Sequence, residues 1–177
     1  MLIPRRTTIS LRQRFHQMDG KATLSSMGLI ALMLWVITIA AFSWFFVKGW
    51  TTEGSDGRVE ILLAPVERDE ILAEMRHLLK AIDGIIRGLG EPKPDLRRME
   101  ETARAVGMHM AADAEPAIMA KLPLPFKQMG MSIHKDMDAL ADAIVRNETP
   151  QQILQRLSSV TARCTACHDM YRFSAGR

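Results

Sequence analysis

The sequence has few aromatic residues, only two cysteines, and no internal repeat or low-complexity tract. Aromatic residues make up 6% of its 177 residues, so the core has to be built from aliphatic side chains and from some of its 13 methionines. The formal net charge is +3, of which residues 1–47 contribute +4 and the rest of the chain −1. A near-neutral domain lacks the basic footprint of nucleic-acid binders, so nucleic acid is not an expected partner.

One stretch, Met27 to Val47, has no charged residue and is long enough as a helix to cross about 30 Å of hydrocarbon. Aromatic residues gather at its end, as they do at membrane interfaces, and basic residues precede it. We predict a cytoplasmic basic tail over 1–24 and a transmembrane helix over 25–48, with bilayer contact through 27–47. The alternative is a cleaved secretory signal, which has a shorter apolar core of about 7–15 residues. Both interpretations export the rest of the chain.

Residues 49–64 are predicted to form a linker, because the glycines at 49, 54 and 57 and the proline at 65 argue against a regular element. After this linker, apolar residues repeat at spacings of three and four, without a convincing alternating segment. The predicted helices are about Val66–Leu89, Asp95–Met110, Pro125–Arg146, and a fourth that starts at Pro150 with Thr149 as its N-cap. An all-α antiparallel four-helix bundle over residues 65–177 would bury all four apolar stripes.

The apolar stripes name the expected core. In the first helix the stripe comprises Ile71, Leu72, Met75, Leu79, Ile82 and Ile86. In the fourth helix it comprises Ile153, Leu157, Val160, Cys164, Cys167 and Tyr171. Both cysteines therefore lie on a face that is predicted to point into the protein.

The two cysteines stand three residues apart, at Cys164 and Cys167, and His168 follows directly. C-x-x-C-H is the attachment signature of c-type haem. On a helix these three side chains share one face, so both sulfurs can form thioethers to the porphyrin and His168 can be the proximal ligand of the iron. A thioredoxin-type pair would come with a βαβ pattern, which is absent, and a zinc site would need a second Cys/His pair. A chance match is the third alternative.

Residues 65–175 resemble the cytochrome c prime family, the class II c-type cytochromes. The phrase CTACHDMYR, in which Tyr171 and Arg172 follow the motif, and the pattern of Arg68, Leu72 and Met75 in the first helix carry this resemblance. It implies a four-helix bundle with Leu72 over the distal face of a five-coordinate iron, or Met75 as a sixth ligand. It also implies that Arg172 lies near the proximal haem face, and that a homodimer is possible. The alternative for Arg172 is an arginine on the surface or one that pairs with a propionate. The apolar helix is a departure, since familiar members are mostly soluble periplasmic proteins.

The expected function is electron transfer at the periplasmic face of a bacterial cytoplasmic membrane, by one covalently bound haem c. The expected partners are membrane redox complexes, of which the protein could be a subunit, or periplasmic electron carriers. The alternative function is the binding of nitric oxide or carbon monoxide at a five-coordinate haem. No acid/base constellation stands out, so an enzyme such as a peroxidase is not expected. His77, His109 and His134 are expected to be surface or partly buried residues.

Overall fold

The computed structural model describes residues 26–175, so the predicted tail over 1–24 lies outside the described residues. The chain divides into two units, Met1–Ile39 and Ala40–Arg177, and the site described below lies in the second. The described residues form seven helices and three strands in the following order: α1 Ser26–Lys48, β1 Thr51–Glu53, β2 Val59–Leu63, α2 Pro65–Leu89, α3 Leu96–Arg104, α4 Met108–Ala112, α5 Pro116–Lys121, α6 Leu124–Val145, α7 Pro150–Met170 and β3 Tyr171–Ala175.

Helix α1 is long and apolar enough to span a membrane, as its sequence predicts. None of its 23 residues is buried, although nearly all are apolar. The helix ends at Lys48. The next residue, Gly49, has a left-handed φ of +65°, and its N–H binds the Phe45 carbonyl at 2.8 Å.

The end of α1 and the following residues contact α5 and the start of α6. The Trp50 N–H donates to the Lys121 carbonyl at 2.7 Å, and a Cβ on Gly49 would collide with that same carbonyl. The Lys127 side chain is only 9% exposed, and its ammonium lies 4.0 Å from the centre of the Phe46 ring. Burial lowers the pKa of Lys127, whose Nζ donates to the carbonyls of Phe46 and Met119 at 3.4 and 3.2 Å. We call these contacts the α1 seat.

The expectation that the predicted linker over 49–64 holds no regular element is wrong, because these residues contain a β-hairpin. Strands β1 and β2 pair antiparallel with Thr51 opposite Ile61. The Gly54 N–H binds the Arg58 carbonyl across the turn at 2.8 Å, and Gly57 adopts a φ of +83° that glycine tolerates without strain. Buried Ile61 and Leu63 then anchor β2 in the core.

The third strand, β3, follows α7 directly and pairs in parallel with β2, so that Val59 lies opposite Tyr171. The sheet order is β1-β2-β3. Helix α7 therefore ends at Met170, and Tyr171 is extended instead of helical. The chain is mostly helical with a small sheet, which corrects the all-α prediction.

The longer helices agree with the predicted ones, except for the second. Helices α2, α6 and α7 begin and end within about one residue of their predicted bounds, apart from the end of α7, and the Thr149 side chain accepts the Gln152 N–H as an N-cap. The predicted helix over 95–110 is broken into α3 and α4 at Gly107. Asp138 on α6 explains the break, because its carboxylate accepts the Met108 N–H at 2.9 Å and occupies the space of a Cβ on Gly107.

Helix α6 packs against α3, α4 and α7, while α2 packs against α3 and α7. The largest core cluster lies between these helices and centres on Ile85, Met137, Leu140 and Val160. A second cluster joins β2, α2, α5 and α6 to the end of α7 and includes Cys167. The predicted antiparallel four-helix bundle stays a prediction.

Candidate functional site

The residues of the C-x-x-C-H motif line one cavity near the end of α7. Cys164, Cys167 and His168 all border this cavity, which has a volume of about 420 Å³. Cys167 is buried in the second core cluster, Cys164 is half-buried, and His168 is exposed. The remaining walls are almost entirely apolar and come from α2, α4, α5 and α6. A volume between about 300 and 1,000 Å³ with apolar walls and few polar groups is typical of cofactor sites.

The apolar face of helix α2 borders this cavity. Ile71, Leu78, Ala81, Ile82 and Ile85 are buried, and three of them, Ile71, Leu78 and Ile82, also line the cavity. Leu72, Met75 and Leu79 line it beside them, and Leu79 is 66% exposed. The prediction that Leu79 and Ile86 belong to the buried stripe is therefore wrong, because α2 has an apolar face wider than its protein neighbours cover. A bound apolar group in the cavity would cover part of that face.

A second cavity, of about 320 Å³, adjoins the same side chains. It shares Leu72, Met75, Phe126, Cys167 and His168 with the larger cavity. The rest of its lining includes the arginines at 58, 68 and 172. Both candidates for the distal position, Leu72 and Met75, thus lie in the walls of the two cavities that His168 borders. Cations beside an apolar cavity are suited to the carboxylates of a porphyrin.

The electrostatic setting of the two cysteines is that of thiols and not of reactive thiolates. Both cysteines are free, and burial raises the pKa of Cys164 and raises that of Cys167 to about 11. Both lie near the C-terminal end of α7, where the helix dipole disfavours negative charge. Redox-active cysteines have a lowered pKa, often at a helix N-terminus. The thioredoxin-type alternative is therefore poorly supported.

Tyr171 and Arg172, which follow the motif, lie in β3 rather than in α7, and both contact other elements of the domain. The Tyr171 and Phe126 rings meet edge to face, with centroids 5.4 Å apart, and burial raises the pKa of Tyr171. Arg172 forms an ion pair with Glu60 at 2.6 Å, which raises the pKa of the guanidinium. Arg68 pairs with its neighbour Asp69 at 3.1 Å. Arg172 thus has carboxylate partners from the protein while it borders the smaller cavity.

A contact between the hairpin and the motif was not predicted from the sequence. The Arg58 Nη1 atom donates to the His168 backbone carbonyl at 3.1 Å. Arg58 lies in the segment that was predicted to be a linker. The Asp56-Gly57 dipeptide shortly before the strand Val59–Leu63 was the available signal, since Asp-Gly is common in hairpin turns.

A buried His–Glu pair was also missed. His134 on α6 is 3% exposed, so the expectation of a surface or partly buried residue is wrong, whereas His77 and His109 are exposed. Its Nδ1 binds the Val106 carbonyl at 2.9 Å and its Nε2 binds Glu74 at 2.7 Å. Burial alone lowers the pKa of His134, but these hydrogen bonds and the Glu74 charge outweigh it, so the pKa is raised. Both His134 and Glu74 line the larger cavity.

No protein-family model, curated protein or solved structure matches this chain.

Among residues 26–175, no three His, Cys, Asp or Glu side chains are placed to hold a metal ion together. A haem iron differs from such sites, because the porphyrin supplies four ligands and the protein only one or two. The residues present suit a c-type haem: two thiols and an imidazole border an apolar cavity, and α2 supplies an apolar or thioether side chain to the same cavity.

Proposed function

We propose that this protein is a membrane-anchored monohaem c-type cytochrome that transfers electrons at the periplasmic face of a bacterial cytoplasmic membrane. The observation that carries the proposal is that Cys164, Cys167 and His168 all border one apolar cavity of about 420 Å³. When bound, the haem supplies one-electron chemistry between Fe(II) and Fe(III).

The residues of the site have distinct roles in this proposal. Cys164 and Cys167 hold the haem through thioethers, and His168 is the proximal ligand. Leu72 and Met75 on α2 border the same cavities as His168. A haem held there would have five-coordinate iron if Leu72 is the distal residue, and six-coordinate iron if Met75 binds it. The apolar walls would bury part of the haem, and burial is one of the factors that set a haem potential.

The architecture fits this role. We propose that α2, α3 with α4, α6 and α7 form the four-helix bundle of the cytochrome c prime family, to which the hairpin and β3 add a small sheet. Helix α1 serves as an uncleaved anchor with the N-terminus in the cytoplasm, so the haem domain is periplasmic. Its partners are then membrane redox complexes or periplasmic carriers, and two copies of the chain can pair as a homodimer.

Covalent haem attachment is tested by mass. Full-length protein made in a host that matures c-type cytochromes should be red and about 600 Da heavier than its polypeptide. The Cys164→Ala/Cys167→Ala protein should have the polypeptide mass, whereas His168→Ala should keep the added mass but have an altered spectrum. Colourless wild-type protein of unaltered mass would refute the proposal.

A second candidate function is the capture of nitric oxide or carbon monoxide. Leu72 favours it, because an apolar side chain at the distal position cannot bind iron and leaves a coordination site for a small gas. A high-spin ferric spectrum that changes when nitric oxide is added supports gas binding. A low-spin spectrum with thioether ligation, unaffected by the gas, supports electron transfer alone.

A further inference from the structure

The turn of the β1–β2 hairpin brings Arg58 to the end of the helix that carries the motif. Its guanidinium donates to the His168 carbonyl at 3.1 Å, across 110 residues of sequence. The last four carbonyls of a helix have no partner within the helix, and a cation there also interacts favourably with the helix dipole. The Tyr171 N–H binds the carbonyl of Cys167. Arg58 therefore acts as a charged cap for α7 at the residue that would bind the iron.

Arg58 is itself held in place by Asp56. Its Nε and Nη2 atoms bind the same Asp56 oxygen at 2.8 and 2.7 Å, and its backbone N–H binds the other oxygen at 3.1 Å. These hydrogen bonds lower the pKa of Asp56 to about 2, so the carboxylate stays charged. Asp56 also contacts Arg172, the second residue after α7, at 3.5 Å.

The sheet joins the same two regions a second time. Val59 directly follows Arg58 and lies opposite Tyr171 in the parallel β2–β3 pairing. The Arg172 guanidinium, one residue further along, binds Glu60 at 2.6 Å. The hairpin thus forms hydrogen bonds to both the last turn of α7 and the strand that follows it, and these bonds restrict the movement of the His168 backbone.

We propose that Arg58 is a positioning residue for the proximal ligand: by capping α7 at the His168 carbonyl, it fixes the backbone from which the imidazole reaches the iron. This role rests on the proposed function. Arg58 acts through His168 and not on the iron. Loss of the cap would let the last turn of α7 fray, and the iron–imidazole bond would then vary in length and orientation.

The test compares Arg58→Gln, Arg58→Lys and a control in the haem-loaded, full-length protein. Lysine keeps one charged donor for the His168 carbonyl but cannot reproduce the fork that binds Asp56. The control is Arg87→Gln, because Arg87 forms a similar pair with Asp83 at 2.8 Å on an exposed part of α2. Added mass is measured first in every protein, so that haem attachment is scored separately from the role of Arg58.

The main readout is the iron–imidazole stretching band in the resonance Raman spectrum of the ferrous protein. Electron paramagnetic resonance of the ferric protein reports the axial ligand field whether or not a sixth ligand is present. Arg58→Gln should shift the Raman band to lower wavenumber, broaden it, and broaden the ferric signal. Arg58→Lys should restore part of both changes, and Arg87→Gln should match the wild type. Amide hydrogens after His168 should exchange about five-fold faster in Arg58→Gln.

The outcomes separate the two proposals. If Arg58→Gln lowers the melting temperature but leaves both spectra unchanged in haem-loaded protein, Arg58 is only a structural cap and the positioning role is refuted. If the wild-type protein lacks the added mass, the proposed function fails, and the role of Arg58 toward the iron fails with it.

Discussion

Replacing His134 with leucine should destabilise the domain in a pH-dependent manner. His134 is 3% exposed, so the variant leaves the Val106 carbonyl without its 2.9 Å partner at a cost of about 1–3 kcal/mol. Glu74 also loses its 2.7 Å partner, but its side chain is 31% exposed and can regain water. Burial of the leucine side chain stabilises the folded protein by about 1 kcal/mol. The net loss is roughly 1 kcal/mol, or about 3 °C in melting temperature for a domain of this size.

The sign of the pH dependence follows from the raised pKa of His134. Its ordinary value is 6.5, and the folded protein holds the proton more tightly than the unfolded chain does. The stabilisation is therefore complete below about pH 6.5 and is lost as the pH rises through the folded-state pKa. The difference in melting temperature between wild type and His134→Leu should accordingly be larger at about pH 6 than at about pH 9.

Circular dichroism of the full-length protein in detergent micelles measures this difference. His77→Leu is the matched control, because His77 is an exposed histidine on α2 and its loss removes no buried contact. The double variant Glu74→Leu/His134→Leu should be about as stable as His134→Leu, because Glu74 regains water in the single variant and the Val106 carbonyl lacks its partner in both. The reasoning is refuted if His134→Leu and His77→Leu have the same melting temperature, or if the loss of melting temperature in His134→Leu is the same at both pH values.

Two further predictions concern the α1 seat and the distal side chains. Gly49→Ala should lower the free energy of unfolding, measured by chemical denaturation, more than Gly57→Ala does. Both glycines have positive φ, but only at position 49 would the new Cβ collide with the Lys121 carbonyl. Equal losses in the two variants would contradict this account. Met75→Leu should leave the visible spectra of oxidised and reduced haem-loaded protein unchanged if Leu72 is the distal residue; a change from low spin to high spin would instead assign Met75 as the sixth ligand.

The long helices could be predicted because their signals are local. Proline at position 150, the Thr149 cap and apolar residues at spacings of three and four are all visible within one or two turns of sequence. The pairing of β2 with β3 could not be predicted in this way, because the two strands lie more than 100 residues apart in sequence. The break at Gly107 depends on Asp138, which lies on another helix.

The same distinction applies to the candidate site. The motif is compact in sequence, so its common face on α7 could be predicted from helical spacing alone. Arg58 and the Glu74–His134 pair meet their partners only through the tertiary fold, across 110 and 60 residues. The wide apolar face of α2 also could not be predicted correctly as one buried stripe. Spacing alone does not show which apolar side chains other parts of the protein cover and which stay exposed.

The α1 seat bears on how a water-soluble version of this protein should be made. Excision of everything up to Lys48 would take away the Phe46 ring and carbonyl that contact the ammonium of Lys127, and would leave a buried cation with fewer partners. The last two turns of α1 therefore belong to the folded domain as much as to the apolar helix. A soluble version should begin upstream of Ser43, and its outward-facing aromatic residues should be exchanged for polar ones rather than deleted.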